Sequence, residues 1–141
     1  MSRLIGIVLT GHGSFPSGLL ESVQLITGEV QQVRVIPFEE DQDKLQKELE
    51  MAIVELDTGA GVVCFADLAG GTPFNVSSRI ASTKENVRVI GGTNSPMLLS
   101  SFFQRELDLD SFVEKSLKDG KENIKQFELN HKKLDEAEDG I

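Results

Sequence analysis

Cysteine, tyrosine and tryptophan are almost absent from this 141-residue chain, which has one cysteine, Cys64, and neither of the other two. A single cysteine cannot form an internal disulfide framework or a cysteine-rich zinc site. Long apolar runs are also missing, because the longest, Leu4–Leu9 and Gly61–Ala66, fall far short of the roughly 20 residues of a transmembrane helix. The N-terminus lacks the apolar core of a secretion signal. We therefore expect a cytoplasmic protein.

Positive charge is scarce relative to negative charge. Fourteen Lys and Arg residues stand against 23 Asp and Glu residues, which gives a formal net charge of −9 at pH 7. Binding to a phosphate backbone needs clustered cations, so we expect no nucleic-acid partner. The segment Asp135–Ile141 contains four acidic residues and no basic one. We predict one domain over residues 1–130, followed by an acidic C-terminal tail over residues 131–141.

Apolar segments of strand length alternate with segments of helical period. Four short apolar runs predict strands: residues 4–9, 33–36, 62–66 and 87–90. The clearest helical period covers residues 45–56. A final helix is predicted to begin with a capping box at Ser111 and to bury Ile124 and Phe127. This alternation predicts an α/β fold, a doubly wound, mostly parallel open sheet of order 2-1-3-4 with helices on both faces.

Prolines mark where predicted helices begin. All four prolines follow the end of a predicted strand, and Pro16, Pro73 and Pro96 are predicted as the first residue of the next helix, where a missing N–H costs nothing. Thr72 and Ser95 are the predicted N-caps of two of these helices. Helix N-termini would then meet at the edge where parallel strands end, which is the usual ligand site of open α/β sheets and favours anions.

His12 and Asp67 are the residues at this edge best suited to carry chemistry. His12 lies between two glycines directly after the first predicted strand, and Asp67 ends the third, where burial of an unpaired acid would be costly. If these strands are neighbours, the carboxylate can accept one ring N–H and leave the lone pair of the other nitrogen facing outward. A turn residue and a solvated charge are the alternative interpretations. The second histidine, His131, is predicted to be inert surface.

Glycines precede the third and fourth predicted helices. Gly70-Gly71-Thr72 can present free backbone N–H groups to an anion, with the Thr72 hydroxyl as a cap or a further donor; a tight turn with an N-cap is the alternative. A Walker loop and a nucleophile elbow are missing. Only His12 and one acid converge, so we expect no metal. One imidazole, one orienting carboxylate and anion-binding backbone suit phosphoryl transfer through histidine, without a cofactor.

Three segments resemble the mannose-family IIA component of the bacterial phosphoenolpyruvate:sugar phosphotransferase system. The residues that carry the resemblance are Gly6–Gly13, then Asp67 with Gly70-Gly71-Thr72-Pro73-Phe74-Asn75 and Ser78-Arg79, then Gly91–Met97. The Gly-Gly-Thr-Pro-Phe-Asn block is the most specific of them. Order and spacing agree over residues 3–130, almost the whole chain.

The resemblance implies a homodimeric phosphohistidine carrier. His12 is implied to accept phosphate through Nε2 from phospho-HPr and to pass it to a IIB component, which phosphorylates sugar entering through the membrane subunits IIC and IID. Contact with the membrane is then only indirect. Asp67 is implied as the orienting partner of His12, with Gly71, Thr72 and Ser14 as the phosphate-binding residues. Candidate residues for the dimer interface are Met97, Phe102 and Phe103.

Two departures from the family pattern affect the partners. Ala69 stands where some members carry an aromatic residue, which is expected to alter the partner contact surface, and the acidic tail predicts a IIB component on a separate chain. Two alternatives stay open. One is a phosphotransfer subunit of dihydroxyacetone-kinase type, which as a rule lacks the Gly-Gly-Thr-Pro-Phe-Asn block. The other is a non-catalytic module that binds a small anion or a partner. The transported sugar cannot be read from this chain.

Overall fold

One sheet of four parallel strands organises the structure, a computed structural model that describes residues 3–129. The elements are β1 (Gly6–His12), α1 (Phe15–Thr27), β2 (Val33–Phe38), α2 (Gln42–Leu56), β3 (Val62–Ala66), α3 (Thr72–Ala81), β4 (Val87–Ile90), α4 (Ser95–Ser101) and α5 (Leu109–Glu122). The strand order β2-β1-β3-β4 and the parallel pairings confirm the predicted doubly wound fold. Among residues 3–129, no helix combines the length and apolarity that a membrane crossing requires.

Both faces of the sheet are buried under helices. Along β1, Val8 packs into a cluster with α2 and α3, whereas Ile7 and Leu9 pack into a cluster with α1, α4 and α5. Successive side chains of a strand point to opposite faces, so a central strand covered on both sides is apolar at most positions. This explains why β1 and β3 are almost continuous apolar runs, while the edge strand β2 carries an exposed Arg34.

Cys64 and Arg105 are buried groups at the sheet. Burial raises the pKa of the Cys64 thiol to about 12, so this lone cysteine is a neutral core residue at physiological pH.

Burial lowers the pKa of Arg105 to about 10. Its guanidinium donates to the carbonyl oxygens of Ile5 at 2.7 and 3.0 Å, of Gln32 at 2.7 Å, and of Gln31. Arg105 thus ties together the segments that enter β1 and β2, at the end of the sheet opposite His12.

The N-caps of α3 and α4 lie one residue earlier than predicted. Gly71 is the N-cap of α3 and Asn94 that of α4, so Thr72 and Ser95 are first helical residues and the prolines are the second ones. The Asn94 carboxamide oxygen accepts the N–H of Met97 at 3.0 Å. That bond satisfies an N–H that has no partner inside the helix, which is why asparagine takes the cap position.

Strands β1 and β2 both extend further than predicted. Pro37 lies inside β2 rather than beyond it, on an edge strand, where its missing N–H can face away from β1. His12 is the last residue of β1 rather than the first of a loop, because its parallel pairing with Phe38 extends the strand.

The last helix begins earlier and ends earlier than predicted. Asp108 is its N-cap and accepts the N–H of Ser111 at 3.0 Å, so the predicted capping box is wrong. The helix ends at Glu122, and the periodic placement of Ile124 and Phe127 beyond it buries neither side chain. They are 76% and 64% exposed. The predicted tail, residues 131–141, and His131 lie outside the described residues.

Met97 is a core residue and not part of a surface, contrary to its prediction as an interface residue. It packs against Gly120 of α5, where an added Cβ would lie 2.7 Å from Met97 Cε and 3.1 Å from its Cβ. Glycine in the middle of a helix costs stability. Here it allows α4 and α5 to approach closely enough to bury Met97.

Candidate functional site

His12 ends β1 at the carboxyl edge of the sheet, between the two strands that pair with β1. Its backbone partner in β2 is Phe38. On the other side, Thr10 pairs with Ala66, the last residue of β3, so Asp67 follows directly beside His12. The structure therefore brings together the two side chains that the sequence placed at the ends of separate strands.

The carboxylate of Asp67 holds His12 at two points. Its Oδ2 accepts the backbone N–H of His12 at 2.9 Å and lies 2.8 Å from the ring Nδ1, while Oδ1 accepts the N–H of Leu68 at 2.8 Å. An ionised carboxylate can only accept hydrogen bonds, so the proton of a neutral imidazole is assigned to Nδ1. The lone pair then resides on Nε2. The His12 side chain is 47% exposed and the Asp67 side chain 8% exposed. The group that carries the reactive Nε2 is therefore the one that solvent and partners can reach.

Asp67 is kept ionised by these contacts. Burial by itself would raise its pKa, but the hydrogen bonds from His12 and Leu68, together with Coulomb attraction to His12, lower the pKa below its usual value. The carboxyl group is therefore an anion at neutral pH. It can stabilise positive charge that develops on the ring.

Two further residues bound the imidazole. The Phe38 ring lies 5.7 Å from it, centroid to centroid, with an angle of 81° between the planes. Gly71 borders the Cε1 edge, because a Cβ built on Gly71 would lie 3.2 Å from His12 Cε1. A glycine at this position allows the N-terminus of α3 to approach the ring. The positive end of the helix dipole is then beside the histidine.

The other predicted phosphate-binding residues begin helices at the same edge. Thr72 is the first residue of α3, next to Gly71. Ser14 is the exposed N-cap residue of α1, and its hydroxyl makes no capping hydrogen bond, so the hydroxyl is not committed to the helix. Both hydroxyls belong to the segments that flank His12, and their role in binding a phosphoryl group stays a prediction.

The loop after β4 forms hydrogen bonds and close contacts with the segment that carries Asp67. Thr93 donates twice to the carbonyl oxygen of Ala66, from its backbone N–H at 3.1 Å and from its hydroxyl at 2.8 Å. A Cβ on Gly91 would lie 2.7 Å from Cα of Ala69. These contacts fix the backbone on both sides of Asp67. Ala69 is itself exposed and rests on Gly91.

Sequence reasoning missed Phe38, Gly91 and Thr93 as parts of this site. Phe38 could have been found only from the register of β2 on β1, since it is far from His12 in the chain. Gly91 and Thr93 belong to the segment Gly91–Met97, which the family resemblance marked, but their contacts with Ala66 and Ala69 depend on the path of two loops.

The surface around His12 is open and carries acidic charge on one side. A depression of about 520 Å³ lies beyond Phe38, and it is lined by Pro37, Glu39, Glu40, Asp41, Lys44, Leu45 and Glu48. His12 is not among these lining residues, and its ring stands on the neighbouring surface. Within residues 3–129, no three His, Cys, Asp or Glu side chains gather in the manner of metal ligands.

Fold and site together define a class: a doubly wound α/β protein with an accessible histidine oriented by a carboxylate at the carboxyl edge of its sheet. The chain belongs to the EIIA-man family, whose model, described as PTS system fructose IIA component, matches residues 6–117. The resemblance drawn from the sequence is thereby confirmed.

Curated relatives agree with this family. The mannose-specific EIIAB component of Escherichia coli (strain K12) is 35% identical over 125 residues, which is 86% of this chain and 39% of that protein. The chain thus spans well under half the length of this relative. The fructose-specific EIIA component of Bacillus subtilis (strain 168) is 30% identical over 105 residues, which is 73% of this chain and 72% of that protein.

Solved structures share the fold. Component EIIA from Streptococcus agalactiae superposes with a TM-score of 0.81 at 30% identity, covering 88% of this chain and 98% of that chain. The mannose/sorbose-specific IIA subunit from Enterococcus faecalis has a TM-score of 0.82 at 23% identity, covering 91% and 98%, and supports the fold alone.

Proposed function

We propose that this protein is a phosphohistidine carrier, in which His12 accepts a phosphoryl group from phospho-HPr and passes it to a IIB component. The observation that carries the proposal is the contact of Nδ1 with Asp67 on an imidazole that is half exposed. This contact leaves Nε2 with a lone pair on the accessible side of the ring. Family membership favours the same role over the two alternatives that the sequence left open.

The transfer balances with the groups at hand. The Nε2 lone pair of His12 forms the new bond to phosphorus, while the bond to the donor's leaving atom breaks and its electron pair stays on the donor. The Nδ1 proton remains in place, and Asp67 stabilises the positive charge that the ring gains. Phosphoryl transfer depends mainly on positioning and charge stabilisation, so this scheme needs no metal or other cofactor.

The phosphoryl oxygens would be received by the helix starts beside the ring. The N-terminus of α3, from Gly71 and Thr72, and the Ser14 hydroxyl at α1 supply donors without bringing in a cationic side chain. Because a carrier must release its cargo, donors weaker than a lysine or arginine clamp suit a group that is held only between two protein encounters. An open site also fits partners that are proteins.

The cellular context follows from the same role. We propose a cytoplasmic protein that reaches the membrane only through IIC and IID, where sugar enters and is phosphorylated. The carrier never contacts the sugar in this arrangement. The sugar must therefore be identified from the IIB, IIC and IID components rather than from this chain.

Incubation with enzyme I, HPr and phosphoenolpyruvate tests the proposal directly. We expect the intact mass to rise by one phosphoryl group, and we expect the adduct to be labile in acid and stable in base, as an N–P bond is. No gain in mass would contradict the carrier and favour the binding module. Complementation of a dihydroxyacetone kinase by this chain would instead support the kinase-linked subunit.

We also propose that the protein is a homodimer. Phe103 is 76% exposed and lines a depression of about 420 Å³ with the apolar residues Leu4, Phe102 and Leu107 and the polar residues Gln104, Arg105 and Glu106. Such a side chain is costly to leave in water and is typical of an interface. Sedimentation at micromolar concentration should show a dimer, and Phe103→Ser should shift it toward monomer. Leu25→Ser is the control, because Leu25 is equally apolar and exposed but lies on α1, outside the residues that line this depression, and should leave the dimer intact. A monomeric wild-type protein would contradict the proposal.

A further inference from the structure

We infer that Phe38 is a positioning residue for phosphoryl transfer, because its ring fixes the plane of the His12 imidazole against the bond to Asp67. This inference rests on the proposed function of His12. The starting observation is the edge-to-face contact of the two rings, with centroids 5.7 Å apart and planes at 81°. That geometry is the one aromatic rings prefer.

One hydrogen bond cannot fix an imidazole. The contact between Nδ1 and Asp67 holds one corner of the ring, but the ring can still tilt about that corner. Gly71 limits the Cε1 edge and offers only backbone. Phe38 is the neighbour that supplies a surface, and it comes from β2, on the side of His12 opposite to β3. Contacts from three separate elements therefore determine where Nε2 points.

Phe38 is itself held in place, as a positioning residue must be. It pairs with His12 in the parallel register of β1 and β2, and its carbonyl oxygen accepts the N–H of Gly13 at 2.8 Å. Its side chain packs against the cluster formed by β1, α2 and α3. The preceding Pro37 restricts the backbone φ angle at its own position. A rigid support of this kind transmits the geometry of the sheet to the ring.

The ring carbons of Phe38 cover one side of the imidazole. Carbon atoms do not compete for the Nδ1 proton or for the lone pair of Nε2. Phe38 also keeps water from one side of the imidazole, which strengthens the interaction with the Asp67 carboxylate. The expected effect is on the rate of the chemical step, because orientation of the attacking atom matters in the transition state.

Two variants separate orientation from packing. Phe38→Leu keeps apolar bulk but removes the aromatic ring, and Phe38→Tyr restores the ring. The control is Phe127→Leu, which removes an aromatic ring that is 64% exposed beyond the end of α5 and is not part of the site. The first measurement is the single-turnover rate of phosphoryl uptake as a function of phospho-HPr concentration. The second is the mobility of the His12 ring, from the NMR relaxation of its Cε1–H group in the unphosphorylated protein.

Phe38→Leu should slow the saturated rate by roughly two- to tenfold, which is the rate equivalent of one edge-to-face pair, with half-saturation unchanged. The His12 ring of Phe38→Leu should be more mobile, whereas Phe38→Tyr and Phe127→Leu should retain the wild-type values of both. Equal rates in Phe38→Leu and wild type, or an equal loss in Phe38→Tyr, would overturn the inference. If the wild-type protein takes up no phosphoryl group, the proposed function fails, and an unchanged mobility of the His12 ring in Phe38→Leu would separately reject the role of Phe38.

Discussion

His12→Ala should gain no phosphoryl group under conditions that label the wild-type protein completely. The substitution removes the ring nitrogen that the site presents to a donor. Neither Ser14 nor Thr72 is a substitute, because a hydroxyl needs a base to take its proton and the remaining Asp67 carboxylate accepts the backbone N–H groups of residue 12 and Leu68. The measurement is the intact mass after incubation with enzyme I, HPr and phosphoenolpyruvate. Labelling that persists in His12→Ala would exclude His12 as the acceptor.

The fold should survive this substitution, so the loss can be assigned to chemistry. His12 lies at the end of β1 with a half-exposed side chain, and the core clusters on both faces of the sheet do not contain it. A circular dichroism spectrum and a melting curve close to those of the wild type are expected. His131→Ala is the matched control for histidine content and should label fully.

The sheet could be predicted because strands that are buried on both faces have largely apolar sequences. The mostly apolar β1, the apolar β3 and the period of α2 leave little choice of element type, and short crossovers then set the parallel order. The pairing of His12 with Asp67 followed from the same logic. Residues at the carboxyl ends of neighbouring parallel strands must share an edge.

Helix ends could not be predicted with the same success, because caps depend on single hydrogen bonds. Asn94 and Ser95 are both good cap residues, and only the path of the backbone lets the Asn94 side chain reach the N–H of Met97. The period that placed Ile124 and Phe127 in the core continues in the sequence, but the helix stops at Glu122. A helical period in the sequence shows which side of a helix is apolar. It does not show how far along the chain that side is packed against the rest of the protein.

Phe38 shows a third kind of limit. The second predicted strand stopped at Ile36, because Pro37 is unfavourable in most strands. Strand β2 nevertheless continues through Phe38, which its edge position permits, and this continuation places Phe38 opposite His12. Contacts that depend on register cannot be read from a strand's own residues.

Asp67→Asn should slow phosphoryl uptake by roughly 100-fold or more, as loss of an orienting carboxylate does in histidine-dependent catalysis. A carboxylate must accept at Nδ1, whereas an amide can donate there instead. Donation to Nδ1 would leave the proton on Nε2 and remove the lone pair that attacks phosphorus. The neutral amide also fails to stabilise positive charge on the ring. Asp67→Ala should be slow as well, because it leaves the ring unoriented.

The measurement for this prediction is the single-turnover rate of each variant at saturating phospho-HPr. Glu55→Gln is a suitable control, because it removes a carboxylate that pairs with Arg34 on the far side of α2, and it should transfer at the wild-type rate. A rate in Asp67→Asn equal to that of the wild type would remove the carboxylate from the mechanism, while leaving His12 as the acceptor.

A stability measurement on the same variant follows from the ionisation of Asp67. Its hydrogen bonds lower its pKa in the folded protein, so the ionised group stabilises the fold at pH values above its unfolded pKa of about 3.9. This contribution is lost as pH falls through the lowered folded value. The difference in unfolding free energy between wild type and Asp67→Asn should therefore be constant near neutral pH and shrink below about pH 4. A difference that does not depend on pH would show that the carboxylate holds His12 by shape rather than by charge.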